Sequence, residues 1–429
     1  MIEKTERPGR KLGLFAAIAL VMGNMIGSGV FLLPASLAPY GWNAVGGWIV
    51  TIAGGLVLAW LLACLTRQLS GADDMIGFIS TAFGKQVGFI AGWLYLLTLW
   101  IGTPTIAVAA ISYLSELVPE AGAFPAFGAL ALLWGITLIN LRSVSSAGNF
   151  QIVTLLIKLV PLLLVVVIAA LQLASGNAEI APFETEQISL PALSGAAALT
   201  LWALLGFESA SVAAKQVRDP EVNVPRATIL GTALTGLLYM VVCSAIAMML
   251  PQDIASSSPA PFATFVERYW SAGPAALIAV FAIVSCIGAV NGWVLIQGEL
   301  PRCMASKGEL PRWFAVTDAN GTPRRALIVS SLIGSVVLML NTSRSTQGLF
   351  EFLLLLTTSA ALWCYLGVAL AAWKLNIARF WAVPGALYAL WALWGAGIYV
   401  SSLSFALLLA GIPVWWWTRR EARLTEQPV

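Results

Sequence analysis

An uncharged apolar run from Leu12 to Thr66, 55 residues long, constrains this chain more than anything else in it. About 20 apolar residues cross a bilayer as a helix, so the run holds two crossings and a turn. Yet the middle of its first crossing reads Gly23-Asn24-Met25-Ile26-Gly27-Ser28-Gly29. Each glycine costs roughly 1 kcal/mol in a helix relative to alanine. A crossing that only had to be apolar would not carry three of them beside an asparagine and a serine. The stretch predicts a helix broken at mid-membrane, with backbone amides and carbonyls laid bare. Such backbone survives at that depth only where it lines a cavity or is buried in protein. The competing explanation is close helix packing by small residues.

The rest of the chain is of the same kind. Of its 429 residues 59% are hydrophobic and 10% charged, where soluble domains run about 25% charged, and the mean hydropathy is +0.87. The fold class is therefore all-α and polytopic in the lipid bilayer. No cleaved leader is expected, because the first eleven residues carry both charge signs and the apolar segment behind them is too long. Histidine is absent, which excludes imidazole metal sites, histidine-ligated haem and histidine proton relays. The cysteines Cys64, Cys243, Cys286, Cys303 and Cys364 are scattered through apolar spans. They read as small core residues, and neither a metal nor a cofactor is expected.

Twelve spans are predicted, near 13–35, 42–66, 87–117, 124–142, 148–173, 191–215, 227–250, 273–301, 326–341, 347–373, 380–398 and 401–417. Pro104 is expected to kink the third. Basic residues test the topology. With the N-terminus inside, 20 of the 23 lysines and arginines fall on the inner side, only Arg268 and Arg344 fall outside, and Lys158 lies within a span. That bias supports an even number of spans with both termini cytoplasmic. The inner segment 215–226 mixes both signs around Pro220 and Pro225 and reads as a surface turn or short helix, not a nucleic-acid patch.

Five spans after the first break the oddity returns, in Trp202-Ala203-Leu204-Leu205-Gly206-Phe207-Glu208-Ser209. An odd number of crossings per repeat inverts the second half relative to the first. Interrupted spans at matching positions in two halves point to a transporter binding site. At such breaks, amides beginning a half-helix suit a carboxylate, and free carbonyls ending one suit an ammonium.

These residues carry a family resemblance. Gly23 to Pro34 resembles the first-helix motif of the amino acid–polyamine–organocation superfamily. Trp202 to Ala214, with Asn223-Val224-Pro225-Arg226-Ala227-Thr228 behind it, resembles the sixth-helix motif of its basic amino acid/polyamine antiporter branch, in which arginine/agmatine exchange is the nearest activity. The resemblance implies a five-plus-five inverted repeat working by alternating access. Residues 13–173 and 191–373 would form the repeats and 380–417 two accessory helices, between a cytoplasmic N-terminus (1–12) and tail (418–429). It implies that Ile26, Ser28 and Gly29 hold the substrate carboxylate and amine, and that Asn24 falls on a conformationally important asparagine. Trp202, Leu205 and Trp293 fall on substrate-facing positions, Trp202 stacking on the ligand. Tyr95 and Glu208 match a cytoplasmic-side gate, with Tyr365 a looser match.

Three third-helix positions depart from that pattern. Thr103 and Ile106 stand where an asparagine and a methionine face a guanidinium, and Thr98 replaces a small residue. In the fifth helix Lys158 stands at an otherwise apolar position. Related carriers with a lysine there use its ammonium in place of sodium. Thr357, with Thr358 and Ser359, adds a polar cluster in the tenth span, which ordinary interhelical hydrogen bonding explains nearly as well.

Glu208 is the one acid placed deep in a span, where carboxylates are expensive and usually functional. It is a candidate for proton exchange or gating. Its alternative is a structural hydrogen bond to backbone freed near Gly206. For Lys158 the alternative is snorkelling to the interface. The expected activity is secondary transport of amino acids or their amine derivatives across the inner membrane, by exchange or linked to protons. The partners are the small-molecule substrate, the bilayer and protons, with room for a homodimer and none for nucleic acid. A proton-coupled carrier or exporter of neutral amino acids is the alternative favoured by the third-helix changes and Lys158. An integral-membrane enzyme or channel is the alternative from another class. An enzyme would be expected to show a histidine or acidic cluster near one interface, and the sequence has none.

Overall fold

The structure is a computed structural model that describes residues 12–27, 29–69, 74–142, 148–208, 217–319 and 321–425, the side chains of 148–156 and 421–425 lying outside that description. The described residues are helical with no strand. An isolated parallel bridge, Leu12 to Val217, ties the start of the first helix to the segment after the second break.

The helices are α1 (Leu14–Met25), α2 (Gly29–Leu37), α3 (Trp42–Gln68), α4 (Met75–Phe83), α5 (Lys85–Leu117), α6 (Pro125–Arg142), α7 (Gly148–Ala174) and α8 (Leu190–Leu204). They continue with α9 (Pro220–Met249), α10 (Gln252–Ser257), α11 (Pro261–Tyr269), α12 (Ala272–Ser306), α13 (Arg324–Met339) and α14 (Thr346–Lys374). The chain ends in α15 (Arg379–Gly395), α16 (Ile398–Leu409) and α17 (Gly411–Thr425). The predicted spans fall on helices or helix pairs over their described residues, and 209–215 of the span 191–215 lie outside that description. Among the described residues eight helices are long and apolar enough to cross a membrane, with a ninth crossing if α1 and α2, bent by 53°, count as one span. The remaining three predicted spans correspond to the shorter α8, α13 and α15.

Two boundaries differ from the sequence reading. Helix α9 begins at Pro220, ahead of the span start predicted near 227 and inside the stretch read as a surface turn or short helix, because proline is accommodated in a first helical turn where no intrahelical donor is needed. A short helix, α4, precedes the third span. Asp74 caps it by accepting from the Gly77 amide at 2.7 Å, and Met75, Phe78 and Ile79 are buried.

Burial ranks the spans. The apolar stretch of α5 is 94% buried, against 22% for the last span, Ile398–Arg420. Helix α5 is therefore the central post, packed against α12 and α14, and the C-terminal helices are peripheral. Polar side chains on the central helices are satisfied locally. The Thr98, Thr103, Thr105 and Thr357 hydroxyls each donate to the carbonyl four residues back, so they cost little in hydrocarbon.

Close helix approach rests on small residues, since lipid offers no hydrophobic drive for helix association. A methyl on Gly47 would lie 2.7 Å from the Ala196 Cβ and 3.0 Å from backbone of α8. Beside it, Thr51 donates to the Ala197 carbonyl and accepts from Thr200 at 2.8 Å. Gly47→Ala is expected to force α3 and α8 apart at a cost of about 1–3 kcal/mol. It should lower the thermal unfolding midpoint of detergent-purified protein. Gly135→Ala, with nothing within 4 Å, should leave the midpoint unchanged.

Candidate functional site

The first break follows from what its backbone needs. Helix α1 stops at Met25, and Ile26 turns away with φ −73° and ψ 89°. The carbonyls at its end would lack partners if nothing surrounded them. Each instead meets a donor or a close neighbour from another element. The Lys158 ammonium donates to the Gly23 carbonyl at 3.3 Å, and the Tyr239 hydroxyl donates to the Met25 carbonyl at 3.0 Å. Inside α2, Pro34 has no amide to give the Val30 carbonyl, and the Cys243 thiol approaches that carbonyl at 3.9 Å. Tyr113 donates to the Phe31 carbonyl at 2.8 Å.

The second break meets the first. Helix α8 stops at Leu204, and Gly206 adopts φ +108°, a conformation side-chain-bearing residues avoid. Space adds a second reason for glycine, because a Cβ there would stand 3.1 Å from the Asn24 carbonyl oxygen. The end of α1 and the turn that closes α8 therefore touch backbone to backbone. One turn back, the Trp202 ring covers Gly29, whose hypothetical Cβ would lie 2.6 Å from the indole nitrogen. Trp202 and Trp293 have ring centroids 5.8 Å apart. Trp293 in turn lies over Gly102 of α5, where a Cβ would meet its ring at 2.4 Å and Thr357 at 3.2 Å. Gly29, Trp202, Trp293, Gly102 and Thr357 thus form one continuous line of contacts from the first break to the central post. Ile26 and Leu205 are buried beside the breaks, whereas Asn24 is exposed. The Trp202 indole N–H is buried without a protein acceptor.

The acid and base sit on separate contacts. Glu208 is 7% exposed. Its carboxylate accepts from the Gly206 amide at 3.1 Å and from the Tyr365 hydroxyl at 3.3 Å. The Tyr365 ring stacks on Phe207 with centroids 5.1 Å apart, and Tyr95 lies within electrostatic reach of both Glu208 and Tyr365. Lys158 does not snorkel. It is 8% exposed and its ammonium is on the Gly23 carbonyl.

The third-helix positions part company with the aromatic line. The Thr103 hydroxyl bonds Leu99 and the Gln297 side chain at 3.1 Å. Gln297 reaches Ser331 at 3.4 Å, and Ser331 shares a 2.8 Å hydrogen bond with Thr137. Thr98 bonds Leu94, and Ile106 is packed in the core. Ser28 and Ser209 lie outside the described residues. The sequence reading missed Tyr239, Phe207 and Gln297. Gln297 alone left a signal, as an amide deep in the apolar α12. Nothing in the sequence distinguishes Tyr239 from a belt tyrosine.

The comparisons with known proteins follow the same outline. The family model for amino acid permeases matches residues 12–419. The chain is similar to the cadaverine/lysine antiporter of Escherichia coli (strain K12), 31% identical over 350 residues that cover 79% of this chain and 77% of the relative. It is also similar to the putrescine transporter PotE of the same organism, 27% identical over 425 residues covering 94% and 95%. The PotE of Haemophilus influenzae (strain ATCC 51907 / DSM 11121 / KW20 / Rd) is 27% identical over 419 residues covering 92% and 95%.

A methyl at Gly206 faces both a forbidden φ and the Asn24 backbone. Gly206→Ala is expected to lower the transport rate about fivefold or more, since such backbone strain is worth about 1–3 kcal/mol. Membrane expression should persist. Proteoliposome uptake normalised to protein checks it, and wild-type uptake would contradict the contact.

Proposed function

The chain belongs to the amino acid permease family, within the amino acid–polyamine–organocation superfamily, and on that premise we propose that it exchanges a basic amino acid for a diamine of the cadaverine or putrescine kind. It is a multi-pass membrane transporter. Its work is alternating exposure of one site, with no covalent chemistry. The inner membrane is the proposed location, with both termini cytoplasmic, as the distribution of lysine and arginine supports. The inverted repeats are proposed to run over 13–173 and 191–373, with 380–417 accessory.

The observation that carries the reading is the contact of the two breaks, Gly206 against Asn24, beneath the Trp202–Trp293 pair. A buried indole N–H without a protein acceptor suits a ligand oxygen, and aromatic faces suit an ammonium. Backbone at Ile26 and Gly29, with Ser28 and Asn24, is proposed to hold the amine and carboxylate. The exposed carboxamide of Asn24 belongs on a water-filled path, since hydrocarbon would not tolerate it. Glu208, with Tyr365 and Tyr95, is proposed as the gate. On the side of the α9–α12 connection, Phe31 packs edge-on against Tyr113 and Phe262, which supports a second closure there.

Neutral amino acid transport coupled to protons is a second reading. It is supported by the commitment of Thr103 to Gln297 and by the apolar Ile106, which leave few polar groups for a charged side-chain end.

Counterflow in proteoliposomes tests the proposal. Internal cadaverine or putrescine should accelerate labelled lysine or ornithine uptake several-fold. Acceleration by neutral amino acids alone would select the second reading, and no acceleration by any would reject a carrier. Glu208→Gln should leave substrate-induced thermal stabilisation measurable while flattening the pH dependence of exchange. An unchanged pH profile would remove Glu208 from coupling.

A further inference from the structure

Away from the central site, a cavity of about 680 Å³ opens among α4, the start of α5, the turn between α12 and α13, and α17. Four cations line it: Lys85, Lys307, Arg312 and Arg419. The carboxyl on its wall is Glu309. Burial pushes that carboxyl up from its ordinary range and nearby Asp74 adds to the effect, against the opposing pull of Lys307 and Lys85. Four cations against the one carboxyl of Glu309 leave the wall with a net positive charge. The start of α5 at Lys85 adds the positive end of a long helix.

The remaining wall is apolar and aromatic. Ile76, Leu310, Pro311 and Trp415 contribute to it. The Arg419 guanidinium lies 4.4 Å from the Trp415 ring centroid, and that ring packs on Phe89 at 4.9 Å. Arg419 is thus held over an aromatic platform that faces the cavity. Immediately along the chain, Val87, Trp416 and Trp417 are exposed, an apolar flank of the kind that meets lipid tails. A basic cavity roomy enough for a phosphate headgroup beside such a flank has the two halves of a phospholipid in view. Basic pockets at the cytoplasmic end of membrane helices hold anionic headgroups for this reason.

We infer that this cavity binds the phosphate of an anionic phospholipid, held by Lys85, Lys307, Arg312 and Arg419, its acyl chains lying along Val87 and Trp416. A lipid seated there would tie α4 and the α12–α13 turn to the C-terminal helix α17. Its placement in the inner leaflet rests on the topology proposed above. Binding itself does not, and is measured independently of transport.

The test uses the full-length protein in neutral detergent, titrated with phosphatidylglycerol, phosphatidylcholine or sodium phosphate and read by thermal shift and native mass spectrometry. Phosphatidylglycerol should raise the midpoint and remain bound as a discrete adduct, and added salt should weaken it. Lys307→Gln and Arg312→Gln should each weaken its apparent affinity about fivefold, the scale of one basic residue near an anionic surface. Arg344→Gln, at the opposite end of α13, should have no effect. Equal stabilisation by phosphatidylcholine would overturn the inference. So would a full shift from phosphate alone, which marks a free-anion site, or wild-type lipid affinity in the Lys307→Gln/Arg312→Gln protein. Salt sensitivity of the wild-type shift is the readout if that double variant fails to fold.

Discussion

A backbone carbonyl at mid-membrane has no water to turn to, and the architecture around residues 23–31 answers that constraint. The break between α1 and α2 bares carbonyls that a continuous helix would have paired. An unsatisfied group of this kind costs several kcal/mol in hydrocarbon, so the break persists because donors from other helices surround it. Lys158 of α7 serves Gly23, and Tyr239 of α9 serves Met25. Tyr113 of α5 serves Phe31, and Cys243 of α9 approaches the carbonyl that Pro34 strands. Three helices distant in sequence are thereby tied to residues 23–31, the break and the first turn of α2. Moving α1 relative to α7 or α9 means breaking or exchanging these bonds, which makes the interruption a natural pivot.

The same bonds explain what the sequence could and could not reveal. The break itself was legible, because glycines clustered with asparagine in an apolar crossing have few other uses. Its partner at Gly206 was legible for the same reason, and so were Glu208 and Lys158, as charges where charges are costly. Helix order and the all-α class followed from hydropathy alone. What stayed hidden is pairing in space. That Lys158 lands on Gly23, and that Gly206 needs glycine partly because Asn24 stands over it, depends on how α7 and α8 pack against α1. No periodicity encodes that. Tyr239 was invisible because a tyrosine in a span carries no signature until its hydroxyl has a target.

Thr103 has a partner that the motifs did not indicate. The resemblance sets it at a substrate-facing position, and its hydroxyl is bonded to Gln297, which leads through Ser331 to Thr137. The one hydroxyl hydrogen of Thr103 is shared between two acceptors, the Leu99 carbonyl at 2.8 Å and the Gln297 Oε1 at 3.1 Å. Gln297, with two donors and an acceptor to place in a dry interior, brings its own requirements to that contact. The network therefore settles where Thr103 is spent, and a motif position becomes part of the scaffold joining α5, α12 and α13.

That network bears on the proposed exchange, in which one site would take both an amino acid and a diamine. The two ligands share an ammonium and differ in the carboxylate, so the shared contacts must be ones that Lys158 and Tyr239 leave open. In the proposed exchange the faces of Trp202 and Trp293 would offer an ammonium a place that needs no carboxylate beside it. On the same proposal a carboxylate would have the indole N–H of Trp202, buried without a protein acceptor, and the amides that begin α2. Its loss would remove contacts without stranding a buried protein charge, because the Lys158 ammonium is already on the Gly23 carbonyl. A site built this way would bind either ligand at a difference of a few kcal/mol, the range within which exchange in both directions stays feasible.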